Sequence, residues 1–230
     1  IPAIAVKGDT LAVSYSGDNG TIQVGYGLTL TYAAQDTAGI LWTYLKQPVD
    51  LDTDTLKPFG EGYYRNLPVT VPEANVTYDA CLTGEFLWTA SWAGGLRRYH
   101  LTKRAWENVP MPMDTQDSLS LCEGFDEINS EGKVILPGYY LNPRDPGDGG
   151  NHNHKAFSVI AYGDTVWAGT ANGINKGILI KELIEVDPGV FEIYNCLEWE
   201  HFSYPDDGLS GNFVVGLAKQ TWNGQVTIWA

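Results

Sequence analysis

The chain has 230 residues, 43% of them hydrophobic and 18% charged, enough to bury a sizeable core as one large domain or two modest ones. Lys and Arg number 14 against 28 Asp and Glu; the resulting formal charge of -14 repels phosphate backbones and anionic headgroups and argues against nucleic acid as a partner. No apolar stretch approaches the roughly 20 residues that span a bilayer, and Ile1 opens directly on an apparent strand without a basic leader segment, so a mature or trimmed protein with no membrane span is expected.

Abundant Gly, Pro, Tyr and Trp, with Val, Ile and Thr spread over short runs, are the composition of strands and turns. One cassette recurs four times: a short apolar run, a turn containing Gly, then a second run that usually carries Trp before a small residue. It reads Pro2-Ala-Ile-Ala-Val-Lys-Gly-Asp-Thr-Leu-Ala12, then Val76-Thr-Tyr-Asp-Ala-Cys-Leu-Thr-Gly-Glu-Phe-Leu-Trp88-Thr-Ala90, then Phe157-Ser-Val-Ile-Ala-Tyr-Gly-Asp-Thr-Val-Trp167-Ala168, and last the stretch from Phe213 to Trp229-Ala230. In the first three units a third strand and a closing element follow: Leu41-Trp42-Thr-Tyr-Leu45, Ala105-Trp106-Glu-Asn-Val109 and Glu198-Trp199-Glu-His-Phe202. Each such unit has the four antiparallel strands of a propeller blade, and stacked units that cover one another's apolar faces make one domain. The expected fold is therefore all-β, a β-propeller of four-stranded antiparallel blades, about three and a half of them present. The units fall near 1–50, 70–112, 153–204 and an incomplete 208–230, all within a single domain, 1–230. Long loop insertions at 47–75 and 113–155 should emerge on the same side as the turns after each second strand, and that loop-rich side is where ligands of repeat proteins usually sit. One stretch, 177–186, has apolar positions that suit a helix face, although its β-branched content and place in a repeat also suit a strand. The repeated Trp is read as a flat filler between neighbouring blades.

Two phrases go beyond generic strand character. Phe86-Leu-Trp-Thr-Ala-Ser-Trp-Ala-Gly-Gly-Leu-Arg-Arg-Tyr99 leads to Trp106-Glu-Asn-Val-Pro110, and Asp164-Thr-Val-Trp-Ala-Gly-Thr-Ala-Asn-Gly-Ile174 leads to Trp199-Glu-His-Phe202. They resemble the repeats of the two-component-regulator-type propeller family, and Pro205-Asp-Asp-Gly-Leu-Ser-Gly-Asn212 is similar to the phrase before each inner strand there. The wording is closest to secreted or surface-displayed propellers of bacteria that use type IX secretion, which implies an extracellular or cell-surface setting and a longer parent. A weaker likeness is to the Asp-box repeats of sialidases: Gln35-Asp-Thr-Ala-Gly39-Ile-Leu-Trp42 keeps the Gly and Trp, but Thr37 stands where the Asp belongs and Leu41 where the Thr belongs.

Chemistry is carried by few patterns. Asp50, Asp52 and Asp54 with Glu61 have the oxygen-ligand spacing of a calcium loop, except that Thr55 replaces the required Gly and Pro58 interrupts it. A second oxygen-rich segment holds Asp145, Asp148, His152 and His154; the two histidines would share a face on a strand and could begin a metal site. Calcium is the one cofactor these patterns bring to mind, and no other is expected. Arg65, Arg97, Arg98, Arg104 and Arg144 are all the arginines available to a sialidase-like site, and Arg97 and Arg98 should point to opposite faces of a strand. Cys81, Cys122 and Cys196 allow at most one internal disulfide and show no C-x-x-C spacing. Sequons begin at Asn19 and Asn75.

The expected function is non-enzymatic: a binding or structural module that engages protein or glycan, with loop-borne Tyr63, Tyr64, Tyr139 and Tyr140 as contact candidates because rigid aromatics give much contact area for little entropy. Two rivals stand beside it. One is a glycoside hydrolase or lyase on the same frame; the other is self-association through unpaired blade edges around residues 225–230.

Overall fold

The structure, a computed structural model, describes residues 2–18, 20–21, 23–36, 38–46, 48–60, 62–69, 76–122, 127–143 and 151–230. Asn19, Thr37, Glu61, Asn75, Arg144, Asp145 and Asp148 lie outside the described residues. All regular structure among the described residues is β, in sheets whose strands pair mostly antiparallel.

The first four-stranded meander runs β1 (Ile4–Lys7), β2 (Thr10–Asp18), β3 (Gln23–Thr31) and β4 (Thr43–Leu45) in spatial order. Its first hairpin turns at Gly8-Asp9, where Gly8 takes φ 58°, a conformation that costs a residue with a Cβ. Alternation sends Ala5, Ala12, Leu28, Leu30 and Leu45 to one buried face, and Ile4, Val6, Tyr15 and Tyr44 remain exposed. Two strands of the 47–75 segment follow, β5 (Leu56–Phe59) and β6 (Gly62–Asn66).

The second meander is β7 (Thr77–Leu82), β8 (Phe86–Ser91), β9 (Gly95–His100) and β10 (Ala105–Asn108). Every residue of β8 is buried, as a strand covered on both faces requires. On one face Leu82, Leu87 and Tyr99 meet Ala5, Leu28 and Leu30 of the first meander. On the other, Phe86, Trp88 and Leu96 meet Val159, Val166 and Trp199 of the third.

Three strands come from the 113–155 segment: β11 (Ser118–Ser120), β12 (Glu127–Ile128) and β13 (Val134–Leu141). The third meander is β14 (Ala156–Tyr162), β15 (Thr165–Thr170), β16 (Gly173–Asp187) and β17 (Val190–Phe202), with β11 added outside β17. The ambiguous stretch 177–186 is thus strand, in register with β17 from Ile174↔Phe202 outward. The inner strand β7 packs against both β1 and β14, so the three meanders stand side by side with their first strands adjacent.

The 47–75 and 113–155 segments, expected as loops, build a sheet of their own in the order β12, β13, β6, β5. β13 pairs with β6 in parallel, Tyr140 opposite Arg65 and Leu141 opposite Asn66. Its inner face delivers Phe59, Tyr64, Leu136, Tyr139 and Leu141 to the core shared by the second and third meanders. Last comes a hairpin, β18 (Ala218–Trp222) and β19 (Gln225–Trp229), turned at Asn223-Gly224 with φ 49° and 77°, the two left-handed positions of a type I′ turn. Before it, Val214 N donates to Thr170 O at 2.8 Å and Leu217 N to Ser158 Oγ at 3.0 Å, which lays the approach to the hairpin along the third meander. Cys122 and Cys196 form the one disulfide.

The Trp reading needs a correction. Trp88 and Trp199 do fill the space between meanders, but Trp42, Trp222 and Trp229 are exposed, because the faces that carry them have no neighbouring sheet among the described residues.

Candidate functional site

The turns after β8 and β15 meet at residues 151–155, and most of the polar groups there satisfy one another. The Asp114 carboxylate accepts His152 N at 2.9 Å and Asn153 N at 2.7 Å. Asn153 and Asn175, both fully buried, exchange a reciprocal amide pair: Asn153 Nδ2 donates to Asn175 Oδ1 at 2.8 Å, and Asn175 Nδ2 to Asn153 Oδ1 at 2.7 Å. Asn153 Nδ2 also donates to Pro112 O at 2.7 Å, and Thr170 Oγ1 donates to Asn153 Oδ1 at 2.8 Å. His201 Nδ1 meets Asn175 Oδ1 at 3.1 Å, and because that oxygen only accepts, Nδ1 carries the proton. His201 Nε2 is then a buried acceptor without a partner among the described residues, and burial lowers the pKa of this ring.

His154 is buried and donates Nε2–H to Ala93 O at 3.0 Å in the turn between β8 and β9. Burial pushes its pKa down to about 4, so the ring is neutral at pH 7. Gly95, at φ 63°, leaves room for it; a Cβ there would lie 2.1 Å from the His154 Cε1. The pair His152 and His154 is therefore not a strand pair with a shared face. Residues 151–155 form a turn, His152 lies beside Asp114 with Nδ1 3.8 Å from Oδ2, and His154 is spent on Ala93. The cluster works as a clamp between the second and third meanders.

The acidic loop also serves packing. Asp50 is buried, ion-paired to Lys57 and accepting Val69 N at 2.7 Å, and Asp54 Oδ2 accepts Leu51 N at 2.8 Å. Asp52 is exposed. Among the described residues no three His, Cys, Asp or Glu gather to hold a metal ion.

The arginines separate as strand alternation dictates. Arg97 Nε donates to Asn108 Oδ1 at 2.8 Å, and burial pulls its pKa down to about 10 against the fields of Asp50 and Tyr64. Arg98 Nε donates to Glu107 at 2.7 Å while its guanidinium lies over Phe86 and Phe59, 4.5 and 4.8 Å from the ring centroids. Arg65 is ion-paired to Glu127 on the insert sheet.

Of the four tyrosines expected at contacts, Tyr64 and Tyr139 are core residues, packed edge to face at 5.7 Å, with Tyr139 Oη donating to Met111 O at 2.7 Å. Burial raises the pKa of both. Tyr63 is partly buried beneath Lys133, and Tyr140 is exposed on a cleft of about 360 Å³ that also holds Arg65, Asn129 and Glu131.

A second aromatic surface was not among the contact candidates. The outer face of the first meander presents Tyr15, Tyr26 and Tyr44, exposed by 38, 49 and 59%, beside Ile4 and Val6. Their rings are held: Tyr44 Oη donates to Tyr26 O at 2.7 Å, Tyr15 Oη lies 2.9 Å from Thr29 Oγ1, and the Tyr26 ring rests on Gly17, where a Cβ would come within 2.7 Å of it. Strand alternation carries the signal, since Tyr15 and Tyr44 sit out of phase with the buried Ala12, Leu28 and Leu45.

No family model and no curated protein matches the chain. Among solved structures it is similar to PorZ, described as an essential bacterial surface component of the type-IX secretion system of human oral-microbiomic Porphyromonas gingivalis, with 11% identity and a TM-score of 0.21. The match covers 98% of this chain and 44% of that one, so the chain spans less than half the length of the protein it matches. A likeness at this TM-score carries no argument. No helix among the described residues is long and apolar enough to cross a membrane.

Proposed function

We propose that the chain is a β-propeller-type binding and structural module of a bacterial cell surface, non-enzymatic, with three full blades and the inner hairpin of a fourth. The adjacency of β1, β7 and β14, each the first strand of an antiparallel meander, supports the blade reading. A disulfide between Cys122 and Cys196 supports an oxidising compartment, and the repeat phrases resemble those of secreted propellers.

The observation that carries the binding role is the tyrosine face of the first meander. Tyrosines fixed by hydrogen bonds offer contact area with little entropy left to lose, and Ile4 and Val6 make the patch apolar enough for a protein partner. The clustered polar groups elsewhere are occupied in holding sheets together, which favours binding over hydrolysis.

Hydroxyl-radical footprinting tests this on cells that display the protein and on the purified chain. Tyr15, Tyr26 and Tyr44 should be labelled in solution and protected on the cell. Equal labelling in both settings refutes the binding face. Turnover of a panel of chromogenic glycosides refutes the non-enzymatic role, and protection reversed by soluble glycans reassigns the face to a sugar.

A further inference from the structure

Four aromatic rings from separate stretches of chain gather where the second and third meanders meet. Phe157, near the start of β14, lies at their centre. Its ring is 5.6 Å from that of Tyr78 on β7, 5.5 Å from Trp92 in the turn after β8, and 4.7 Å from Phe213 on the approach to the last hairpin. Tyr78, Trp92 and Phe213 remain 36, 39 and 59% exposed. Rings that pack on one another and stay open to solvent make a contiguous apolar patch, which marks a contact surface as scattered exposed residues do not.

A lysine is built into this patch. Lys155, two residues before Phe157, is only 7% exposed, and its Nζ lies 5.2 Å from the centre of the Trp92 ring. Lys155 N donates to His152 O at 3.0 Å, Ala171 N donates to Lys155 O at 3.1 Å, and the adjacent His154 holds the Trp92 turn through Ala93 O. A lysine so deeply placed is ordinarily paired with a carboxylate. Among the described residues none forms an ion pair with it, although the chain has 28 acids. Asp79, beside Tyr78 on β7, spends its oxygens on Ala80 N, Ser158 Oγ and Val159 N. The Trp92 face offsets part of the ammonium's lost hydration, and a carboxylate brought from outside would complete it.

The occupant is narrowed by exposure and charge. The rings form a surface and not an enclosure, so a small apolar acid would stay largely wet, whereas a protein segment covers all four. A formal charge of -14 repels acidic tracts, which leaves a single carboxylate among large apolar side chains. A chain-end carboxylate is captured by a nest of backbone N–H groups. Here the cation is one ammonium, and Gly94 N in the neighbouring turn is already taken by Ser91 Oγ at 3.1 Å, so a side-chain carboxylate matches better.

We propose that this surface docks a segment of a partner protein in which one Glu or Asp is flanked by Leu, Ile or Phe. The carboxylate pairs with Lys155 above Trp92, and the flanking side chains cover Tyr78, Phe157 and Phe213. The site is distinct from the tyrosine face, which lies on the outer side of the first meander, and does not depend on it.

The probe is a fluorescent peptide, blocked at both ends, with a single Glu between Leu and Phe residues. Its controls carry Gln in place of Glu, with the C-terminus blocked or free. The Glu peptide should bind the intact protein at least about tenfold more tightly than the blocked Gln peptide, with a preference that shrinks as salt rises, and should slow amide exchange at 91–95 and 155–157. Lys155→Met, which keeps the bulk of the stem, should erase the preference for Glu and leave the weaker apolar binding. Phe213→Ser, at an exposed position, should weaken both peptides and keeps the test open should Lys155→Met fold poorly. The proposal is overturned if Glu and Gln peptides bind alike, if Lys155→Met keeps the preference, or if Phe213→Ser binds as tightly as the unchanged protein. A free-ended Gln peptide that equals the Glu peptide overturns it in favour of a chain end, and displacement by a polyuronate at equal carboxylate concentration overturns it in favour of an anionic glycan.

Discussion

The Asn153 and Asn175 amide pair sets a demanding test of the clamp. Asn153→Ala removes four hydrogen bonds and leaves Pro112 O and Asn175 Nδ2 without that partner in a buried site, while Asn175 Oδ1 keeps the His201 Nδ1–H and the Thr170 hydroxyl keeps Gly173 O. A net bond is worth about 1 kcal/mol and each stranded group about 1–3, with some relief from relaxation, so a loss of roughly 4 kcal/mol is expected. Asn175→Ala strands one N–H of the Asn153 amide and the His201 Nδ1–H and should cost about 3 kcal/mol by the same reasoning. The double variant removes both halves of the pair and so strands fewer groups than the two singles together. It should fall short of additivity by about 2 kcal/mol. Urea unfolding followed by Trp fluorescence measures all three, since Trp88 and Trp199 are buried in the adjoining core. Single variants that cost under about 1 kcal/mol, or costs that add within about 0.5, would refute the claim that this pair fixes the 151–155 turn against β16.

Acid should weaken the protein through His154. Its pKa is about 4 when folded against 6.5 unfolded, so the unfolded chain takes up the proton first as pH falls. The neutral ring's contribution, about 3 kcal/mol, is whole above pH 6.5 and is lost between 6.5 and about 4; His201, also lowered, adds with the same sign. Denaturation at stepped pH checks this, and His154→Gln, which keeps a donor for Ala93 O, should flatten the slope over that window. Gly95→Ala places a methyl against the His154 ring at a left-handed position and should cost about 3 kcal/mol or more, read as a lowered melting temperature, whereas Gly84→Ala, with open space around it, should be close to neutral. Reducing Cys122–Cys196 frees a loop of sequence separation 74 and should cost about 4 kcal/mol by chain entropy, with faster amide exchange in β17 around Cys196. A transition unchanged by reductant would show that the bond adds nothing to the fold.

What could be read in advance divides by the range of the interaction. The four cassettes are hairpins because their turns are local, and in three of them Gly8-Asp9, Gly163-Asp164 and Asn223-Gly224 supply the left-handed residue that a tight reversal needs. The outer strands containing Trp106 and Trp199 were legible for the same reason, each being one turn from its partner. The insert sheet was not, because its central pairing joins β6 to β13 across a whole meander, and the local reversals β5–β6 and β12–β13 say nothing of that long-range parallel contact. Nor were Asn153 and Asn175, two ordinary amides whose meeting depends on the register of β15 with β16 and the fold of the turn before β14. Tyr64 and Tyr139 misled because they lie in segments read as loops, where an aromatic is expected outside; Tyr15 and Tyr44 carried a plain alternation signal that points outward.

The parallel pairing of β6 with β13 bears on how such a protein could change over generations. Two stretches of chain that flank the second meander finish one shared sheet, with Leu67 N also donating to Leu141 O at 2.7 Å. Lengthening either stretch alone shifts the other out of step, so insertions and deletions in the pair should be inherited jointly. A recombinant or graft that exchanges one of them must bring its companion, or the meander between them loses the wall supplied by Phe59, Tyr64 and Tyr139.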